Sequence, residues 1–79
     1  MKTIIIEDEK LAAERLEELI HEIDPSIEIS AKLTSIEQSI KYLKQNKPDL
    51  IFLDIQLEDG LSFSIFDKIE VDIPIIFTT

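Results

Sequence analysis

Apolar residues fall along this chain in two rhythms. Ile4-Ile5-Ile6 and Ile51-Phe52-Leu53 are unbroken runs of branched or aromatic residues, the pattern of strands buried on both faces. After the first run, Ala12, Leu16, Leu19, Ile20 and Ile23 recur at helical spacing, with Glu14, Arg15, Glu17 and Glu18 on the opposite face. This predicts a helix from about Lys10 to Ile23. Asp24-Pro25-Ser26 is stop-and-turn chemistry, and beyond it Ile27, Ile29 and Ala31 alternate with Glu28, Ser30 and Lys32 as in a half-exposed edge strand. Ser35 is placed to cap a second helix, with Gln38 as its capping-box partner and Ile36, Ile40, Tyr42 and Leu43 as its apolar residues. Asn46-Lys47-Pro48-Asp49 ends that helix and leads into the second apolar run. Asp59-Gly60 reads as a turn, Leu61 to Ile69 as a short third helix, and Pro74 opens a last strand from Ile75 to Thr79. The order βαβαβαβ, without repeats or linkers, predicts an α/β fold: a three-layer parallel sheet with right-handed crossovers.

Both buried runs end on carboxylates, Glu7-Asp8 after the first and Asp54 after the second. In open α/β sheets the carboxyl ends of parallel strands are where chemistry is placed. Glu7, Asp8 and Asp54 are therefore expected to meet in one pocket. Left alone they repel: two unit charges about 4 Å apart cost about 4 kcal/mol at an effective dielectric near 20. A hard divalent cation relieves this, and Mg2+ is the expected ion. The competing account of Glu7 and Asp8 is that acids at a helix start merely favour its dipole. For Asp54 it is turn formation, although ending a buried strand on a charge is a costly way to make a turn.

Composition narrows the partners. At 79 residues the chain makes one small domain. With 44% hydrophobic residues and a single Gly it is globular rather than disordered. The net charge of −9 and the lack of a basic patch argue against nucleic-acid binding through this segment. No Cys is present, which removes disulfides and thiolate metal sites and fits a reducing, cytoplasmic setting. No apolar run approaches the roughly 18 residues of a membrane span, and the residues before the first strand are too few for a signal peptide.

Taken in order, Ile-Ile-Ile-Glu-Asp-Glu, Leu-Asp-Ile-Gln-Leu, Asp-Gly-Leu-Ser-Phe and Ile-Phe-Thr-Thr resemble the receiver domain of two-component response regulators, most closely receivers of the LytTR type. The resemblance covers the whole chain. It implies the flavodoxin-like sheet order 2-1-3-4, with Asp54 as phosphoacceptor and Asp8 as a direct Mg2+ ligand. It further implies that Glu7 holds the ion through water and that the backbone carbonyl of Gln56 completes the protein's share. Thr79, rather than Thr78, matches the switch hydroxyl. The implied donor is a phosphohistidine on a sensor histidine kinase, and the implied output is transcription control in the full-length protein, through a DNA-binding effector domain outside this segment.

The chain departs from the family pattern in two ways. The interval from Asp54 to Gly60 is short and lacks a Pro, in keeping with the LytTR wording. A complete receiver also continues through a fifth βα unit that brings a Lys to the phosphoryl group, so residues 1–79 are expected to be a receiver domain incomplete at its C-terminal end. Lys68 does not match that Lys, and His21, on a helix rich in acids, is not a phosphodonor. The alternative is a switch-incompetent interaction fragment that self-associates. A Mg2+-dependent phosphohydrolase is disfavoured, because such enzymes carry a second Asp two positions after the nucleophile and here that position is Gln56. The chain is not expected to be an enzyme.

Overall fold

The computed structural model describes residues 1–78. Its strands and helices follow in the order β1 (Lys2–Ile6), α1 (Lys10–Ile23), β2 (Glu28–Leu33), α2 (Ile36–Gln45), β3 (Leu50–Leu53), β4 (Gln56–Leu57), β5 (Gly60–Leu61), α3 (Ser64–Lys68) and β6 (Ile75–Phe77). Four parallel strands form the main sheet in the order β2-β1-β3-β6, which is the predicted 2-1-3-4 order with β6 as the fourth strand. Helix α1 packs on one face, α2 and α3 on the other. The apolar cores of the two faces meet through the central strands: Ile4, Ile6, Ile51 and Leu53 point toward α2 and α3, while Ile5 and the half-buried Phe52 point toward α1. Ile4, Ile5, Ile6, Ile51 and Leu53 are all 1% exposed or less. Burying each contributes about 1.5–3 kcal/mol, so β1 and β3 are the fixed frame on which the site is built.

Strand β2 lies at the sheet edge, as its alternation predicts, but its inward residues do not share one face. The β1–β2 register runs Thr3 with Ile29 and then Ile4 with Ala31, which makes Ser30 the extra residue of a bulge. Ile27 and Ile29 therefore pack with Ile5 on the α1 side, whereas Ala31 and Leu33 pack with Ile4 and Ile6 on the α2 side. A one-residue shift in a ladder of period two reverses every side chain beyond it.

Helix α1 has the predicted bounds, yet its buried face is rotated. Ala13 and Ile20, with Leu16 beside them, pack on Ile5, while Leu19 and Ile23 are 55% and 84% exposed. In α2, Ser35 caps as expected by accepting the Gln38 N–H at 3.1 Å. The side chain of Gln38, however, accepts the N–H of Thr34 at 3.0 Å instead of closing the box on Ser35. Ser39, on the buried face of α2, is fully buried, and its hydroxyl is satisfied by a 2.7 Å bond to the Ser35 carbonyl.

The third helix is shorter than the predicted Leu61–Ile69. Gly60 and Leu61 instead pair antiparallel with Gln56 and Leu57, a hairpin that the apolar pattern does not reveal. The Ser62 N–H is captured by the Ile55 carbonyl at 2.8 Å, closing the base of this hairpin and delaying the helix to Ser64.

Candidate functional site: an acidic cluster at the carboxyl ends of β1 and β3

Parallel pairing of β1 with β3 places Ile6 against Leu53. The next hydrogen bond of that ladder, from the Asp54 N–H to the Ile6 carbonyl at 2.9 Å, carries Asp54 to the level of Glu7. On the other side of β1 the Glu7 N–H donates to the Leu33 carbonyl at 2.9 Å. The backbones under both acids are thus held by sheet bonds while their side chains emerge above the sheet. One carboxylate oxygen from each of Glu7, Asp8 and Asp54 lies within 4.8 Å of the other two. Glu7 and Asp54 are half-buried and Asp8 is exposed.

Glu7 reports the electrostatic strain of this arrangement. Its pKa is raised from the usual 4.5, first by partial burial, and further by its hydrogen-bonding contact with Asp8 and the charge of Asp54. The N–H of Glu9, donated to the Glu7 carboxylate at 3.0 Å, pulls the other way. That bond also orients Glu7 and occupies an amide at the start of α1, so the helix-start role coexists with the cluster. Three hard oxygen donors on one side of a solvent-open site fit Mg2+, which keeps several of its waters and takes only a few carboxylates.

The remaining predicted residues are placed as follows. Gln56 opens β4 immediately beyond the Asp54 turn, with its side chain exposed. Thr78 donates its N–H to the Leu53 carbonyl at 3.1 Å and, with Glu7, Ala12, Arg15, Leu16 and Leu19, lines a cavity of about 250 Å3 beside α1. Thr79, the residue assigned to the switch hydroxyl, lies outside the described residues. Lys68 and His21 are exposed on α3 and α1, and neither joins the cluster. Asp59 was legible only as a turn residue, although its carboxylate accepts the N–H groups of Ile36 and Glu37 at 2.8 and 3.2 Å. The sequence signal that could have found it is an acid next to Gly, facing a helix whose first amides have no local acceptor.

A parallel α/β sheet with acids gathered over the ends of two adjacent central strands defines a receiver-like class of protein. Residues 3–79 match the family model of the response regulator receiver domain, and the chain belongs to that family. It is 38% identical over 65 residues to the sensory transduction protein LytT of Bacillus anthracis, covering 82% of this chain and 26% of that protein. It is 39% identical over 69 residues to the sensory transduction protein LytR of Staphylococcus epidermidis, covering 87% and 27%. The chain thus spans about a quarter of the length of these curated relatives. Among solved structures, the REC domain of the PhyR response regulator of Erythrobacter litoralis superposes with a TM-score of 0.79 at 32% identity, covering 96% of this chain and 60% of that one. A mutant MaeR response regulator, 18% identical, shares the fold with a TM-score of 0.85 over 99% of this chain and 66% of its own.

Proposed function

We propose that this receiver domain is a phosphoacceptor, taking a phosphoryl group from a phosphohistidine of a sensor histidine kinase onto Asp54. The single observation that carries it is the meeting of Glu7, Asp8 and Asp54 over the ends of β1 and β3. An Asp54 carboxylate oxygen attacks phosphorus, the P–N bond breaks, and its electron pair leaves with the imidazole as the aspartyl phosphate forms. Glu7, Asp8 and Asp54, with the Gln56 carbonyl, would hold Mg2+. When bound, that ion supplies positive charge against the transferring oxygens. Glu7 and Asp8 do not react. Their work is to hold charge and bound water beside the nucleophile, and the sheet bonds under Glu7 and Asp54 fix the spacing beforehand. Thr79 serves as the switch hydroxyl, and transcription control belongs to the full-length protein, acting in the cytoplasm. Among the described residues no helix is long and apolar enough to cross a membrane. The domain accepts a group and passes on a state; it is not itself an enzyme.

The test is incubation with acetyl phosphate and Mg2+ followed by intact-mass measurement. One added phosphoryl group is expected, absent in Asp54→Asn and absent when the ion is chelated. A modification that survives Asp54→Asn would overturn the assignment.

A second reading, an interaction fragment that self-associates, is favoured by a different observation. β6 forms one edge of the sheet among the described residues, and its Ile76 and Phe77 are both 46% exposed.

A further inference from the structure

We propose that Asp59 is a positioning residue for the acidic cluster, its carboxylate pinning the hairpin that leaves Asp54 onto the amino end of α2. Helix α2 already has an N-cap in Ser35, which serves the amide of Gln38. Its first two amides, those of Ile36 and Glu37, find their acceptors in the two oxygens of Asp59, at 2.8 and 3.2 Å and more than twenty residues away in sequence. An ordinary cap satisfies its own helix; a cap supplied by the loop after the nucleophile ties two parts of the site together.

Three further contacts make this junction specific. Gly60 follows with φ +139°, a backbone conformation that strains any residue with a side chain, and a Cβ there would crowd Ile36 Cδ1 at 3.3 Å, so glycine suits the turn that brings the hairpin against α2. Thr34 Oγ1, whose proton goes to Gln38 Oε1 at 3.1 Å, also lies 3.5 Å from Glu58 Oε1, a second close approach between the same segments. At the hairpin base, Ser62 N–H holds the Ile55 carbonyl at 2.8 Å, so the segment between Asp54 and Asp59 is closed at both ends.

The result is a ring. From Asp54 the chain runs through the β4–β5 hairpin to Asp59, across to α2, and back through Ser35 and Thr34 to Leu33, whose carbonyl accepts the Glu7 N–H. Glu7 and Asp54 sit at its two ends and are joined again directly through the Ile6–Leu53 ladder. Asp59 closes the ring on the side the sheet does not reach. It touches no reacting atom and acts through the Gln56-bearing hairpin and the loop before α2. Its favourable bonds to two amides also hold its carboxyl below the ordinary value of 3.8, the Ile36 bond being the largest cause, so the clamp stays charged at neutral pH.

The proposal rests on the phosphoacceptor reading for its consequence but not for its geometry, and the experiment separates the two. Amide spectra of the full chain are recorded without metal and through a Mg2+ titration for wild type, Asp59→Asn, Asp59→Ala and the remote core control Ile20→Val. Without metal, Asp59→Ala is expected to shift the Glu7 and Asp54 amides and to speed exchange at Ile36 and Glu37, with Asp59→Asn intermediate. In the titration, Asp59→Ala is expected to weaken Mg2+ binding on the order of tenfold, the scale for residues that orient metal ligands. Ile20→Val should leave the affinity unchanged, which separates positioning from a general loss of stability. If wild type binds no Mg2+, the phosphoacceptor reading falls, and the metal-free Glu7 and Asp54 amides alone decide the clamp. Unmoved Glu7 and Asp54 amides in a folded Asp59→Ala, or Mg2+ affinity equal to wild type, would overturn it. If Asp59→Ala does not fold, Asp59→Asn carries the same comparison.

Discussion

The carboxylate of Glu7 accepts the backbone N–H of Glu9 at 3.0 Å while lying against Asp8 and Asp54, so one side chain is both anchored and repelled. Its raised pKa means that the folded state binds a proton more readily than the unfolded chain. Between the unfolded value of 4.5 and the higher folded value, stability therefore falls as pH rises. Glu7→Gln keeps an acceptor for Glu9 and removes the charge. Without metal at neutral pH it is expected to be more stable than wild type by less than about 1 kcal/mol, because solvent screens a half-exposed carboxylate. Urea unfolding at pH 7 measures this, and a less stable variant would show that the cluster is not under repulsion.

Mg2+ should reverse that order. A ligand that binds only the folded state stabilises it by RT ln(1 + [L]/Kd), about 2.7 kcal/mol at a hundredfold excess over Kd. Asp8→Asn leaves the sheet untouched, since Asp8 is exposed and beyond the end of β1, but removes one of three charged donors. Most of the Mg2+-induced rise in melting temperature is expected to vanish in this variant. The same rise in both proteins would remove Asp8 from the site.

At acid pH two other carboxylates are expected to contribute to the loss of stability. Asp24 is held below 3.8 first by the Ser26 hydroxyl at 2.6 Å and then by the Ser26 amide. Asp59 is held below it by the α2 amides. A depressed carboxyl contributes stability above its unfolded value and loses it as pH falls through the folded one. The melting temperature is expected to drop below about pH 3.8, with the slope reduced in Asp24→Asn and in Asp59→Asn. Thermal melts from pH 2 to pH 5, roughly the span over which carboxyls titrate, provide the comparison.

The sheet and the acidic cluster were legible because each rests on a local signal: a branched apolar run needs burial on both faces, and an acid ending that run must emerge where the strand ends. The α1 bounds and the Ser35 cap are local in the same sense. The features that sequence reading missed depend on distant partners. Ile29 and Ala31 look like one face of a strand, and only the β1 register shows Ser30 stepping out between them. Leu19 and Ile23 fit the helical stripe as well as Ala13 does, yet the sheet beneath α1 selects Ala13 and Ile20. The β4–β5 hairpin and the Asp59 clamp are held by bonds to Ile55 and to α2, partners that no periodicity encodes.

Self-association is the outcome expected from the character of β6, an edge of the sheet among the described residues. Ile75-Ile76-Phe77 pairs with β3 on one side, and the outward side carries no Lys, no bulge and no Pro within the strand. Natural sheets usually protect an edge with one of these, because unpaired amides and carbonyls template pairing with another chain. Apolar surface continues on both faces of the edge. Phe77 meets Phe63 edge-to-face at 5.7 Å on the α3 side, while the exposed Leu19 shares a cavity with Thr78 on the α1 side. A second copy of this chain supplies a matching edge under two-fold symmetry. Sedimentation equilibrium from micromolar to millimolar concentration is expected to show a concentration-dependent dimer. Ile76→Lys places a charge on that edge without touching the core of β1 and β3, and should hold the chain monomeric with its fold intact. A wild-type chain that stays monomeric throughout that range, or an Ile76→Lys variant that dimerises equally well, would show that β6 is not where copies meet.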